Sequence, residues 1–235
     1  MTWSYPAIMG LAIAAGALIS RRTQQPLGLN AWERLGLGLG AFCGAMIGAK
    51  LPFVLTDWPG LLSGAAWFSD GKTIVFGLVG GYFGVELAKW TMGLRIKTGD
   101  SFAVPVAVSV SIGRLACFVG GCCYGAVTDC PLGVNFGDGL RRHPTQLYES
   151  AFHLALAGVL YALWRSGAWR GQLIKFYIIT YLAYRFATEW IRPEPKLWYD
   201  LTGYQWAALA LIPLFAALWA HDALSDEGHQ CIPGK

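Results

Sequence analysis

Four cysteines fall within fourteen residues in the run GRLACFVGGCCYGAVTDC: Cys117, Cys122, Cys123 and Cys130. Their spacing, C-x4-C-C-x6-C, matches none of the zinc patterns built from paired C-x2-C halves, so neither a metal nor a cofactor is expected. A thiol becomes a nucleophile or redox group when a nearby cation lowers its pKa, and Arg114 stands three residues before Cys117. Cys122 and Cys123, as direct neighbours, are too constrained for an ordinary bridge with each other. A disulfide through Cys130 stays open, and so does plain packing of small apolar thiols between close helices. Cys43 and Cys231 stand apart and are read as packing residues or as having no role.

A second set of chemically capable residues lies where apolar residues dominate: Lys50, Glu86, Arg114, Glu149, Arg185 and Glu189. A charge at mid-bilayer costs at least ~2.5–3.5 kcal/mol, so such residues pair with one another or line a wet cavity. Lys50 is expected to snorkel from a span end, and Glu86 to pair with Lys89 one turn later. Arg185 and Glu189, four residues apart, share a helix face that Arg192 continues. Two arginines with a carboxylate beside them suit a lipid phosphate. His143, before Pro144 at a helix start, reads either as a cap or as a group that orients Glu149 or a lipid. His153 reads as a packing histidine inside a span.

These side chains must be positioned by membrane helices. The chain has 235 residues, 55% apolar and 14% charged, and its apolar residues come in runs of spanning length. Seven candidate spans lie at about 3–20, 35–55, 73–90, 102–119, 146–164, 173–191 and 204–220. The third and fourth are rich in small residues and are expected at the centre of the bundle. Arg21 and Arg22 follow the first apolar run, the reverse of a signal peptide's order, so that run reads as an uncleaved span. The basic connections after spans one, three and five place the N-terminus outside and the C-terminus in the cytoplasm. Loops 56–72, 125–145 and 192–203 then face outward. No internal repeat and no composition break divides residues 1–235, which read as one all-α integral membrane domain. The net charge of +4 is scattered, and no basic block suggests a nucleic-acid partner.

GRLACFVGGCCYG (residues 113–125) resembles the signature of bacterial prolipoprotein diacylglyceryl transferases. HPTQLYES (143–150) is similar to that family's HPSQLYE segment, and YRFATEWIRPEP (184–195) to its RFxxEFxR helix. The resemblance implies a multi-pass protein of the bacterial plasma membrane that moves a diacylglyceryl group from a phosphatidylglycerol-like phospholipid to the thiol of a lipobox-containing or other acceptor at the outer face. It places Gly113, Arg114, Gly125, Gln146, Tyr148, Glu149, Arg185 and Arg192 at the lipid, with His143 and Glu189 near the chemistry. The family's Asn falls on Cys117 and its signature Glu on Cys122, and span three carries no histidine where the family's HGG motif has one. Cys117, Cys122 and Cys123 therefore join His143 and Glu189 as catalytic candidates, able to attack the lipid or carry a group covalently. A non-catalytic lipid-binding or thiol-redox protein on the same fold is the alternative.

Overall fold

The computed structural model describes residues 3–67 and 71–230; Cys231 lies outside the described residues. Eight α-helices follow one another: α1 Ser4–Gln24, α2 Ala31–Thr56, α3 Trp58–Ser63, α4 Ile74–Met92, α5 Gly99–Val119, α6 Thr145–Ser166, α7 Leu173–Thr188 and α8 Gly203–Gln230. All but α3 stand on the apolar stretches read from the sequence. Local signals set their starts. Asn30 caps α2 through the Glu33 amide at 2.9 Å while the Glu33 carboxylate takes the Asn30 amide at 2.8 Å, and the Thr73 hydroxyl caps α4 through Phe76.

Five of the described helices are long and apolar enough to cross a membrane, namely those over Ser4–Leu27, Ala31–Thr56, Gly99–Val119, Thr145–Ser166 and Gly203–Leu224. Of the seven candidates expected from apolar runs, those at α4 and α7 fall short of that standard. Glycines and the Glu86–Lys89 ion pair, at 2.9 Å, dilute α4. α7 has only 16 residues, and eight of them are buried, so little of it needs a lipid-facing surface.

The chain forms two compact units. One comprises the chain up to Thr23 and from Asp100 onward, and the other is Gln24–Gly99. In the latter, α2 and α4 pack glycine on glycine. A methyl group on Gly44 would strike the Gly80 carbonyl and lie 2.9 Å from the Gly84 Cα, so only hydrogen fits there. Lys50 does not snorkel as expected. It is 6% exposed, on the same buried surface of α2 as Gly48, Ala49 and Val54.

In the larger unit, α1 is tied to α5 by bonds from Ser109 Oγ to the Ala12 carbonyl (3.0 Å) and from Thr23 Oγ1 to the Ser101 carbonyl (2.7 Å). Asp100, in the first turn of α5, accepts from the amides of Gly171 and Leu173 and so fixes where α7 begins. Aromatic contacts join α6 to α7, with Phe152 stacked on Tyr184 at 4.0 Å and His153 against Tyr181 at 4.7 Å. Between α5 and α6 the chain makes a small antiparallel ribbon, β1 Val134–Asn135 paired with β2 Arg141–Arg142.

Candidate functional site

Serine sets the register at which α5 and α6 cross. Ser111 Oγ donates to the Ser150 carbonyl (2.8 Å) and Ser150 Oγ to the Ser111 carbonyl (2.9 Å). One turn further along α5, Arg114 therefore meets Glu149, the neighbour of Ser150. The Glu149 side chain is fully buried. Its Oε1 accepts from Arg114 Nη2 at 2.8 Å and from the Tyr181 hydroxyl, and its Oε2 from Arg192 Nη2 at 2.6 Å. Three donors, two of them cationic, offset the loss of water around one buried carboxylate.

α7 contributes a row at four-residue spacing: Tyr177, Tyr181, Arg185 and then Glu189, on the 3-10 turn Glu189–Ile191 that follows it. Arg185 faces Glu189 with Nε 3.0 Å from Oε2 and Nη2 3.3 Å from Oε1, and its guanidinium lies 4.2 Å above the Tyr204 ring of α8. The closer approach is misaligned, so Arg185 Nε and Glu189 Oε2 are both buried without a hydrogen bond. Arg114 Nε and Arg192 Nε are buried in the same condition. Three guanidinium groups surround two buried carboxylates, so the third positive charge is balanced only from outside the buried set. Glu194, on the next loop and partly exposed, reaches Arg185 only at 3.8 Å.

The cysteines sit on the turn that leaves α5. Residues on α6 hold its backbone: Gln146 Nε2 donates to the Cys122 carbonyl at 2.6 Å and Thr145 Oγ1 to the Cys123 carbonyl at 2.9 Å. Cys123 is forced into the left-handed region at φ 61°. The Sγ atoms of Cys117, Cys122 and Cys123 lie within 4.8 Å of one another. All are free thiols, and so is Cys130, so the bridge left open for Cys130 forms with none of the described cysteines. A hydrogen bond with Cys117 lowers the Cys123 thiol to about 5, with Arg114 and Arg192 acting in the same direction, while burial raises Cys122. Gly125 closes the turn. Its amide donates to the His143 carbonyl at 2.8 Å, and a Cβ there would come 2.5 Å from the Ile191 carbonyl oxygen and 2.8 Å from the His143 Cβ. The absent side chain lets the thiol-bearing loop lie against the segment that carries Arg192.

The fold thus assembles Arg114, Glu149, Arg185, Glu189 and Arg192 beside the three thiols, with Gln146 and Gly125 as backbone supports. Arg192 does not prolong the Arg185 face as expected; the chain turns extended after Ile191, which sends it to Glu149. Gly113 faces α1, its nearest neighbour being Met9 Sδ. His143 and Tyr148 approach each other at 3.5 Å, and neither side chain bonds to Glu149. Nor does His143 cap α6, whose N-cap, Pro144, makes no side-chain bond. His153 is satisfied on Nδ1 by the Tyr177 hydroxyl at 3.0 Å, while its Nε2 has no partner. Sequence reading missed Tyr181 and Tyr204. The four-residue spacing of Tyr181 and Arg185 was a usable signal for the first, whereas Tyr204, on another helix, gave none.

A mostly helical body with membrane-length apolar helices and a buried arginine–carboxylate network beside a Gly-rich turn defines an integral membrane protein. A family model described as prolipoprotein diacylglyceryl transferase matches residues 2–221, and the chain belongs to that family. A relative from Clostridium tetani named phosphatidylglycerol–prolipoprotein diacylglyceryl transferase is 28% identical over 207 residues, 83% of this chain and 82% of the relative. One of the same name from Clostridioides difficile is 26% identical and covers 97% of this chain and 93% of its own length. Another, from Cupriavidus necator, is 34% identical over 158 residues, 60% of this chain and 58% of its own.

Proposed function

We propose that this chain is a phosphatidylglycerol-dependent diacylglyceryl transferase of the bacterial plasma membrane, acting at the outer face on the thiol of a prolipoprotein. Beyond family membership, one observation carries this reading: three arginines around two buried carboxylates, with three guanidinium Nε atoms left without partners. A buried donor without an acceptor costs about 1–3 kcal/mol, and a phosphate would accept from such donors and balance the third positive charge. In this reading Arg114, Arg185 and Arg192 hold the phosphate, and Gly113, Gly125, Gln146, Tyr148 and Glu149 shape and brace the site.

The acceptor's sulfur attacks the glyceryl carbon, the carbon–oxygen bond breaks, and glycerol phosphate leaves with the bonding electrons towards the arginines. Glu189, whose Oε2 has no hydrogen bond, takes the thiol proton. His143, Cys117, Cys122 and Cys123 remain catalytic candidates. The single domain over 1–235, its seven spans and its outside N-terminus belong to the same proposal. α4 and α7 are counted among the seven, α7 with half of its residues buried against neighbouring helices.

The test is release of glycerol phosphate from phosphatidylglycerol vesicles by the purified full chain with a lipobox peptide. Arg114→Gln and Arg185→Gln should each lower the rate at least a hundredfold and weaken phosphatidylglycerol binding. A chain that binds the lipid but releases nothing, and fails to restore lipoprotein maturation in a transferase-depleted bacterium, would be the non-catalytic alternative. Unchanged binding in both variants would remove the phosphate role.

A further inference from the structure

The three thiols form a cluster whose geometry the transfer reaction does not require. Cys117 comes from the last turn of α5, and Cys122 and Cys123 from the turn beyond it, where the chain doubles back so that the Cys122 amide donates to the Cys117 carbonyl at 3.1 Å. That reversal brings residues five and six apart in sequence to a common point, with all three Sγ atoms within 4.8 Å of one another. A d10 metal–thiolate bond is about 2.3 Å, which puts the corners of a trigonal set about 4.0 Å apart, so contraction of less than 1 Å closes the triangle. Among the described residues no fourth Cys, His, Asp or Glu donor joins the group.

The turn is also built to stay open to solvent. Gln146 and Thr145 brace the carbonyls of Cys122 and Cys123 from inside, so both thiols point outward and are exposed, with Cys117 half-buried beneath them. Cys123 stands at φ 61°, in the left-handed region that non-glycine residues seldom occupy, and its sulfur lies beside the other two.

We propose that Cys117, Cys122 and Cys123 form a three-thiolate site for a single soft monovalent cation, Cu(I). Thiolates select soft d10 ions, and a set of three with no fourth donor suits trigonal Cu(I) better than zinc, whose structural sites close with four ligands. Protons still held by the thiols pass to solvent on binding, and the resulting anionic centre sits beside the arginine network.

Titration of the reduced, anaerobic full chain in detergent with Cu(I), against a chromogenic Cu(I) chelator, tests this, with X-ray absorption on the loaded protein. The expected result is one Cu(I) per chain in a shell of three sulfurs, lost in C117S/C122S/C123S although Cys43 and Cys130 remain. C122S alone, at an exposed position that keeps the fold, should weaken binding at least tenfold. Copper no tighter than the chelator, a two-sulfur shell, binding that survives the triple variant, or zinc held as firmly as copper would each overturn the proposal.

Discussion

Glu149 is the residue on which the site depends, because it answers two arginines and a tyrosine from three different segments. Breaking one partner of a buried ion pair costs about 3–5 kcal/mol, whereas losing one hydrogen bond to a charged group, as Tyr181 makes to Glu149, costs about 1.5–3 kcal/mol. Glu149→Gln should therefore lower the melting temperature in detergent below that of Tyr181→Phe, and a Glu149→Gln protein that melts with the parent would show that the network is not structural. The Arg185–Glu189 pair was readable from sequence because four residues make one helical turn. The Arg192–Glu149 pair was not, since 43 residues separate the partners and only the extended turn after Ile191 joins them. Lys50 misled for a related reason. A lysine near a span end normally finds water, and the sequence does not show that the small residues around it sit on a buried surface.

The helices were legible as elements because membrane length and apolar composition leave few other readings, whereas α3, a single short turned segment, carries no such signature. How two helices approach is subtler. Glycines at 40, 44 and 48 of α2 oppose Gly80 and Gly84 of α4, and small-residue spacing of this kind permits backbone contact without lipid between. Gly44→Leu should separate the pair and destabilise the chain by about 1–3 kcal/mol or more. Gly38→Leu, on the same helix but with open space where its Cβ would stand, is the matched control and should melt within a degree of the parent. Equal melting of both variants would mean that glycine's value here is flexibility and not close approach.

At the scale of the whole molecule, orientation decides which compartment the thiols and arginines meet. Arg21, Arg22 and Arg34 flank the connection between α1 and α2, and Arg165, in the last turn of α6, and Arg170 flank the one between α6 and α7, while the α5–α6 loop holds the thiol turn and the ribbon. If the basic connections are cytoplasmic, an even number of crossings separates them from each other and an odd number separates them from the thiol turn. That arithmetic needs α4 to cross, although it does not match the apolar standard of the five long helices; α7 enters only the placing of the C-terminus. Cys130, a free and half-buried thiol on the α5–α6 loop, should thus react in intact cells with a membrane-impermeant maleimide, located by peptide mass. A cysteine introduced as Ala168→Cys, between α6 and α7, should react only after the membrane is permeabilised. The reverse pattern would invert the molecule and put the proposed transfer site in the cytoplasm. Labelling of both positions from outside would mean that α6 does not cross, which would remove the basis for counting α4 as a span.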